Sequence, residues 1–207
     1  YGKSSIASLL CFWQALFHPR SLCLLVSPSL RQSSENFRKV GDALSYLSPK
    51  PELEEDNKLT LQFSNGSRII SLPGTQKTVR GFTAPDILFI DEASEAADEL
   101  FTALFPMLTS NPAGRMILAS TPKGARGFFH RIWTESGAEW LRIEKRASDN
   151  PRLDPEILAE AKRTLPEWEY RQEFECEFVQ AQDQYFSNET IKMMFDTPVE
   201  PLWSDST

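Results

Sequence analysis

The sequence predicts an α/β fold built on a mostly parallel sheet flanked by helices, and three observations carry that expectation. Residues 22–26, 87–90 and 116–119 are short, continuous apolar runs, with the length and composition of strands buried on both faces. Longer segments between them repeat apolar residues at helical spacing. The two kinds alternate along the chain, as they must when each parallel strand is reached through a helical crossover. At 207 residues there is enough chain for one sizeable core, and 41% hydrophobic with 25% charged residues is an ordinary globular composition.

Taken in order, Ile6, Leu9, Leu10, Trp13, Leu16 and Phe17 predict an amphipathic helix over 4–17, ended by Pro19. Residues 22–26 form the first strand. Ser27-Pro28-Ser29 then offers a cap for a second helix marked by Phe37, Val40, Leu44 and Leu47. The polar, proline-bearing stretch 48–58 reads as an exposed loop. Residues 59–63 and 68–72, joined through Ser64-Asn65-Gly66-Ser67, read as a β-hairpin inserted into the parallel pattern. The second core strand, 87–90, is closed by Asp91-Glu92. A helix over 100–108 carries Pro106 near its end. The third core strand, 116–119, leads into Ser120-Thr121-Pro122, and Phe128, Phe129, Ile132 and Trp133 mark a helix over 127–135. A fourth strand is expected at 140–143. Residues 155–174 should hold two helices broken at Pro166. From Gln180 onward regularity fades, as in a linker.

Several classes are excluded. No apolar run approaches the roughly 20 residues that cross a bilayer, so no membrane association is expected. Cys11, Cys23 and Cys176 lie far apart in sequence with no CxxC spacing, and His18 and His130 are the only histidines, which excludes a zinc finger and a disulfide scaffold and suits a reducing cytosol. A net charge of −7 leaves any DNA contact to a local basic face. Lys123, Arg126, Arg131, Arg142, Lys145 and Arg146 are the candidates for it, with ordinary solvated charge as the competing reading. The chain opens on Tyr1-Gly2-Lys3 rather than Met, and is expected to be an internal piece of a longer protein.

Gly2-Lys3-Ser4 ahead of an amphipathic helix matches the last third of a phosphate-binding loop, GxxxxGK(S/T), or Walker A motif. Backbone N–H groups at a helix tip hold anionic oxygens, a lysine meets the β- and γ-phosphates, and a hydroxyl ligates Mg²⁺. Gly2, Lys3, Ser4 and Ser5 are therefore the candidate nucleotide-binding residues. Residues 87–92 resemble a Walker B strand: a buried run ending in two acids delivers them to the carboxyl end of a parallel sheet. Asp91 can share the Mg²⁺ with Ser4, and Glu92 can orient and deprotonate an attacking water. The hydroxyls of Ser120 and Thr121, stiffened by Pro122, end the next strand where they could sense the γ-phosphate.

The ordered set resembles the ATPase domain of the terminase large subunit, the DNA-packaging motor of tailed bacteriophages. The resemblance covers most of residues 2–180, from Gly2-Lys3-Ser4 through Ser27-Pro28-Ser29-x-x-Gln32, the Asn65-Gly66-Ser67-Arg68-Ile69 hairpin, Val79-Arg80-Gly81 and the 88–93 segment, to Ser120-Thr121-Pro122-x-Gly124, Gly127-Phe128-Phe129 and Glu173-Phe174-x-Cys176-x-Phe178. It implies a P-loop NTPase fold of the ASCE type and ATP hydrolysis, with Mg²⁺, driving double-stranded DNA into a procapsid. It also implies a homo-oligomeric ring docked on a portal protein, a small terminase subunit as partner, and the host-cell cytoplasm as location. By resemblance Lys3 and Ser4 hold phosphates and metal, Asp91 the metal and Glu92 the water. Ser120-Thr121-Pro122 would be the coupling motif, and Arg80 an arginine finger reaching a neighbouring subunit's nucleotide, with a structural partnership to Asp86 or Asp91 as the other possibility for Arg80.

Two departures follow. The adenine-recognition segment and the strand that should precede Walker A are absent from residues 1–180, so the ATPase domain is expected to be incomplete at its N-terminus and weakly active by itself. Residues 181–207 read as a linker toward a nuclease domain not contained here. The competing assignments are a helicase-type P-loop ATPase and a catalytically inactive α/β interaction module.

Overall fold

The computed structural model describes residues 2–75, 79, 81–179 and 193. The linker expected at 181–207 therefore lies, Met193 apart, outside the described residues.

Six strands form one sheet: β1 (Leu22–Ser27), β2 (Leu53–Asp56), β3 (Thr60–Phe63), β4 (Arg68–Pro73), β5 (Ile87–Asp91) and β6 (Arg115–Ala119), in the order β2-β3-β4-β1-β5-β6. β4, β1, β5 and β6 run parallel, while β2 and β3 are antiparallel additions at one edge. The described helices are α1 (Lys3–Phe17), α2 (Leu30–Ser45), α3 (Asp98–Leu108), α4 (Gly127–Glu135), α5 (Pro155–Thr164) and α6 (Glu167–Glu175).

Every residue of β1 and β5 is buried, because each strand has a neighbour on both sides and helices on both faces. Side chains alternate between those faces. Cys23, Leu25, Ile87 and Phe89 pack against Ala7, Cys11, Phe12 and Ala15 of α1 and Phe37 and Val40 of α2. Leu22, Leu24, Val26, Leu88 and Ile90 pack on the other side with Leu100 and Leu104 of α3 and Phe128 and Phe129 of α4.

Local chemistry sets the helix ends. Ser29 caps α2 by accepting from the Gln32 N–H, with Gln32 completing the pair through its side chain. Asp154 caps α5, and Pro166 separates it from α6, as the sequence suggested. The Asn65 amide donates to the Ala15 carbonyl at 2.8 Å, so the hairpin turn also closes the end of α1.

Three expectations need correction. Residues 53–56 within the expected loop 48–58 form β2, an exposed edge strand paired with β3 and too polar to announce itself. β6 is half-buried rather than a core strand, because no described strand pairs with its outer edge. Residues 140–143 have the composition of a strand but no regular structure. A strand exists only as a partner in a ladder, no described strand lies beside these residues, and Leu141 and Ile143 are exposed. Cys11 and Cys23, distant in sequence, are neighbours in the core: the Cys23 thiol donates to the Cys11 carbonyl, and side-chain hydrogen bonding with Cys11, followed by burial, pushes its titration far above the ordinary range. All three cysteines are free.

Asp98 joins α3 to α4. It accepts the Phe128 N–H at 2.7 Å and the Arg131 guanidinium at 2.8 Å, and Gly127, at φ 81, takes the left-handed turn that brings that N–H in. Its hydrogen bond with Arg131, followed by that from Phe128, holds the carboxyl below the usual carboxylate range. A lowered folded-state value means the contribution is present above the unfolded pKa of about 3.9 and lost as pH falls through the folded value. Thermal unfolding followed from neutral pH into that acid range should show a smaller loss of stability for Asp98→Asn than for the parent. Parallel curves would remove Asp98 from acid sensitivity.

Candidate active site

Strand parity decides which groups meet. Asp91 follows Ile87 and Phe89, so its carboxylate arrives on the face covered by α1 and α2; Ser27 follows Cys23 and Leu25 to the same face. At that end of the sheet Ser4 Oγ donates to Asp91 Oδ2 at 3.0 Å, and Asn36 Nδ2 donates to the same oxygen at 2.7 Å. Asp91 is 6% exposed, and its second oxygen, Oδ1, is buried without a hydrogen-bond partner among the described residues.

A bare buried carboxylate oxygen costs roughly 1–3 kcal/mol or more unless something occupies it. Beside a serine hydroxyl at a helix tip, it suits a hard cation that takes oxygen ligands. Among the described residues no group of three or more His, Cys, Asp or Glu side chains could hold a metal. The donor set is one carboxylate and one hydroxyl, which fits Mg²⁺ arriving with phosphate oxygens and water.

The tip of α1 has the chemistry to hold an anion. Gly2 sits at φ 81, a left-handed turn open to glycine, and caps α1 without a side chain, so the leading N–H groups of the helix remain available. Lys3 Nζ lies 3.9 Å from Glu92 Oε1, with the two side chains 35% and 31% exposed. So long and wet an ion pair is weak, and phosphate oxygens can compete for the ammonium. Ser5 is exposed on the first turn.

Glu92 itself has φ 48, a left-handed conformation that costs a non-glycine residue about 1–2 kcal/mol. Ser120 Oγ lies 3.2 Å from Glu92 Oε2 and 2.7 Å from Ser94 Oγ. The Ser94 hydroxyl donates to the Thr121 carbonyl at 2.8 Å, and the Ser94 N–H donates to Ser120 Oγ. The single Ser120 proton thus has two acceptors, Glu92 and Ser94. A third tie between the strand ends is the Ala93 N–H donating to the Ala119 carbonyl at 3.1 Å. Pro122 is buried just beyond.

The fold brings Gly2, Lys3, Ser4, Asp91, Glu92 and Ser120 together, with Thr121 tied in through its carbonyl. Arg80 lies outside the described residues. Asp86, weighed as its structural partner, accepts the Leu22 N–H and the Asn111 amide. Sequence reasoning missed Asn36 and Ser94. Asn36 had a signal: Ser33, Asn36, Phe37 and Val40 form one buried helical stripe, and an amide in such a stripe needs a polar partner.

The basic residues are largely engaged. Lys123 pairs with Glu95, Arg131 with Asp98 and Arg146 with Glu144. Arg142 donates to the carbonyls of Ile132, Trp133, Ser136 and Gly137, closing the end of α4. Arg142→Ala should cost about 1.5–3 kcal/mol in denaturant unfolding, and Arg142→Lys should fail to restore it, because an ammonium cannot fork to several carbonyls. Phe128 and Phe129 are core residues rather than base-stacking ones.

A family model described as "Terminase large subunit, T4likevirus-type, N-terminal" matches residues 1–193. The chain belongs to the terminase large subunit family. The curated terminase large subunit of Escherichia phage T5 is 25% identical over 190 residues, covering 89% of this chain and 43% of that protein, so the chain spans less than half of that relative's length. A mutant of the large terminase ATPase domain from Thermus phage P74-26 superposes with TM-score 0.73 at 20% identity, over 86% of this chain and 85% of that one. A large terminase of a thermophilic bacteriophage, solved in complex with ATP-γ-S, superposes with TM-score 0.65 at 14% identity, over 86% of this chain and 45% of that one. The fold is therefore that of terminase ATPase domains, an α/β P-loop architecture. Among the described residues no helix is long and apolar enough to cross a membrane.

Proposed function

We propose that this domain binds and hydrolyses ATP and that the terminase containing it uses the hydrolysis to drive double-stranded DNA into a procapsid. The observation that carries the reading is the 3.0 Å approach of Ser4, at the tip of α1, to Asp91, at the end of β5, with Lys3 and Glu92 beside them. The terminase relatives support the nucleotide, one of them having been solved with ATP-γ-S bound.

In this reading the open N–H groups of α1 and the Lys3 ammonium hold the β- and γ-phosphates. Ser4 and Asp91 would hold Mg²⁺, which supplies charge neutralisation on the phosphate oxygens. Glu92 takes the proton from the attacking water, and Ser120 keeps that carboxylate oriented. When Glu92 turns toward water, the Ser120 proton has Ser94 as its alternative acceptor, so a change at Glu92 reaches the ends of β5 and β6 and the segment 120–122. Arg80 is the finger for a neighbouring subunit in a homo-oligomeric ring. Portal protein and small terminase subunit are the further partners, and the host-cell cytoplasm is the setting. Residues 1–180 are the ATPase unit, with 181–207 leading toward a nuclease domain.

The test compares ATP turnover by the full-length protein with that of Lys3→Ala, with and without duplex DNA. The substitution should abolish nucleotide binding and turnover together. Equal turnover in the two proteins would overturn the assignment of this helix tip as the phosphate site.

A further inference from the structure

We propose that Asn36 is a positioning residue for the metal-holding carboxylate: it fixes Asp91 through one oxygen so that the other is presented to the cation. The proposal rests on the ATPase reading of the site.

The geometry is specific. Asn36 is 3% exposed, and its amide nitrogen reaches Asp91 Oδ2 at 2.7 Å and Ser27 Oγ at 2.9 Å. Its oxygen faces the other way and accepts from Lys39 Nζ at 3.3 Å. Only the NH₂ end of an amide can donate to a carboxylate, so the network settles the orientation of the side chain. The backbone of Asn36 is pinned as well: its carbonyl accepts from the Ser8 hydroxyl of α1 at 3.2 Å. One short helical segment is thereby tied to β1, β5 and the phosphate-site helix.

Asp91 Oδ2 consequently receives two donors, Ser4 and Asn36, while Oδ1 receives none among the described residues. That inequality points the carboxylate. Rotating it would break both hydrogen bonds and leave a second unsatisfied buried oxygen. Without Asn36 only the Ser4 hydrogen bond orients the carboxylate, and Ser4 is itself a candidate metal ligand. Removing the hydrogen-bond partner of a metal ligand generally lowers metal affinity by about 10–100-fold.

The test uses the full-length protein with Mn²⁺ and ADP, reading the loss of the free Mn²⁺ signal by electron paramagnetic resonance. Asn36→Leu should weaken Mn²⁺ binding in the presence of ADP by about 10–100-fold while metal-free ADP binding holds. Ser27→Ala, which removes only the far anchor of the amide, should move Mn²⁺ affinity the same way by a smaller factor. Should Asn36→Leu fail to fold, Ser27→Ala decides alone. Unchanged Mn²⁺ affinity, or an equal fall in metal-free ADP binding, would overturn the positioning role. Asp91→Asn separates the two claims: if it abolishes Mn²⁺ binding while Asn36→Leu and Ser27→Ala leave it intact, only this inference fails. If Asp91→Asn is itself without effect, the metal assignment fails and takes the inference with it.

Discussion

Glu92→Gln is expected to reduce ATP hydrolysis by about 10²–10⁴-fold, the contribution of a positioned general base, while leaving ATP binding nearly intact. The separation of the two effects follows from the geometry. Glutamine keeps the size of glutamate and an oxygen that can accept from Ser120, so the 3.2 Å contact need not be lost. The ion pair given up is the exposed 3.9 Å approach of Lys3, which contributes little and leaves the ammonium free for phosphate. Ser4 and Asp91, the candidate metal partners, hydrogen-bond each other rather than the Glu92 side chain and should keep their 3.0 Å contact. Single-turnover hydrolysis beside equilibrium nucleotide binding checks both halves. Wild-type turnover would remove Glu92 from the role of base, and a parallel loss of binding would show that its part is to hold the site together. The left-handed backbone of Glu92 fits a functional role, since strain of that kind persists where the surroundings hold it in place.

Much of this site was legible before coordinates because its parts are local. Gly2-Lys3-Ser4 and Asp91-Glu92 each sit where a helix begins or a buried strand ends, and a period-two strand presents its terminal acid to a known side of the sheet. What escaped were the polar pairings across long sequence separations that no motif announces, unlike that of Ser4 with Asp91. Asn36 is 55 residues from Asp91, and nothing local tells an amide in a buried stripe which carboxylate it will meet. Ser94 acquires its meaning from Ser120, 26 residues on, and reads in isolation as a turn serine. The same limit explains the misjudged elements. Residues 53–56 are polar yet form a strand because β3 offers them an edge, whereas 140–143 are apolar enough for a strand but lie beside no described partner. Arg142 looked like surface charge because backbone carbonyls, its actual partners, leave no trace in a list of side chains.

Arg80→Ala is expected to have the largest effect, about 10³–10⁵-fold on ATP turnover, the range for removal of an arginine finger. The residue lies outside the described set, so the expectation rests on its position ahead of β5, between Val79, which is buried in the core, and Gly81. It also rests on charge: Lys123 is held by Glu95, with its ammonium titrating above the usual value because of that contact, and so is not free to meet a triphosphate beside Lys3. A guanidinium that stabilises charge developing on the transferred group would complete the set, and lysine should replace it poorly because the planar fork is lost. Mixing decides whether it acts within its own subunit or on the next. Arg80→Ala subunits retain Glu92, and Glu92→Gln subunits retain Arg80. If the finger reaches across an interface, a ring containing both has some sites with a complete set, and ATPase activity should rise above that of either variant alone, peaking at intermediate ratios. If no ratio restores turnover, Arg80 serves its own subunit, as a structural arginine would.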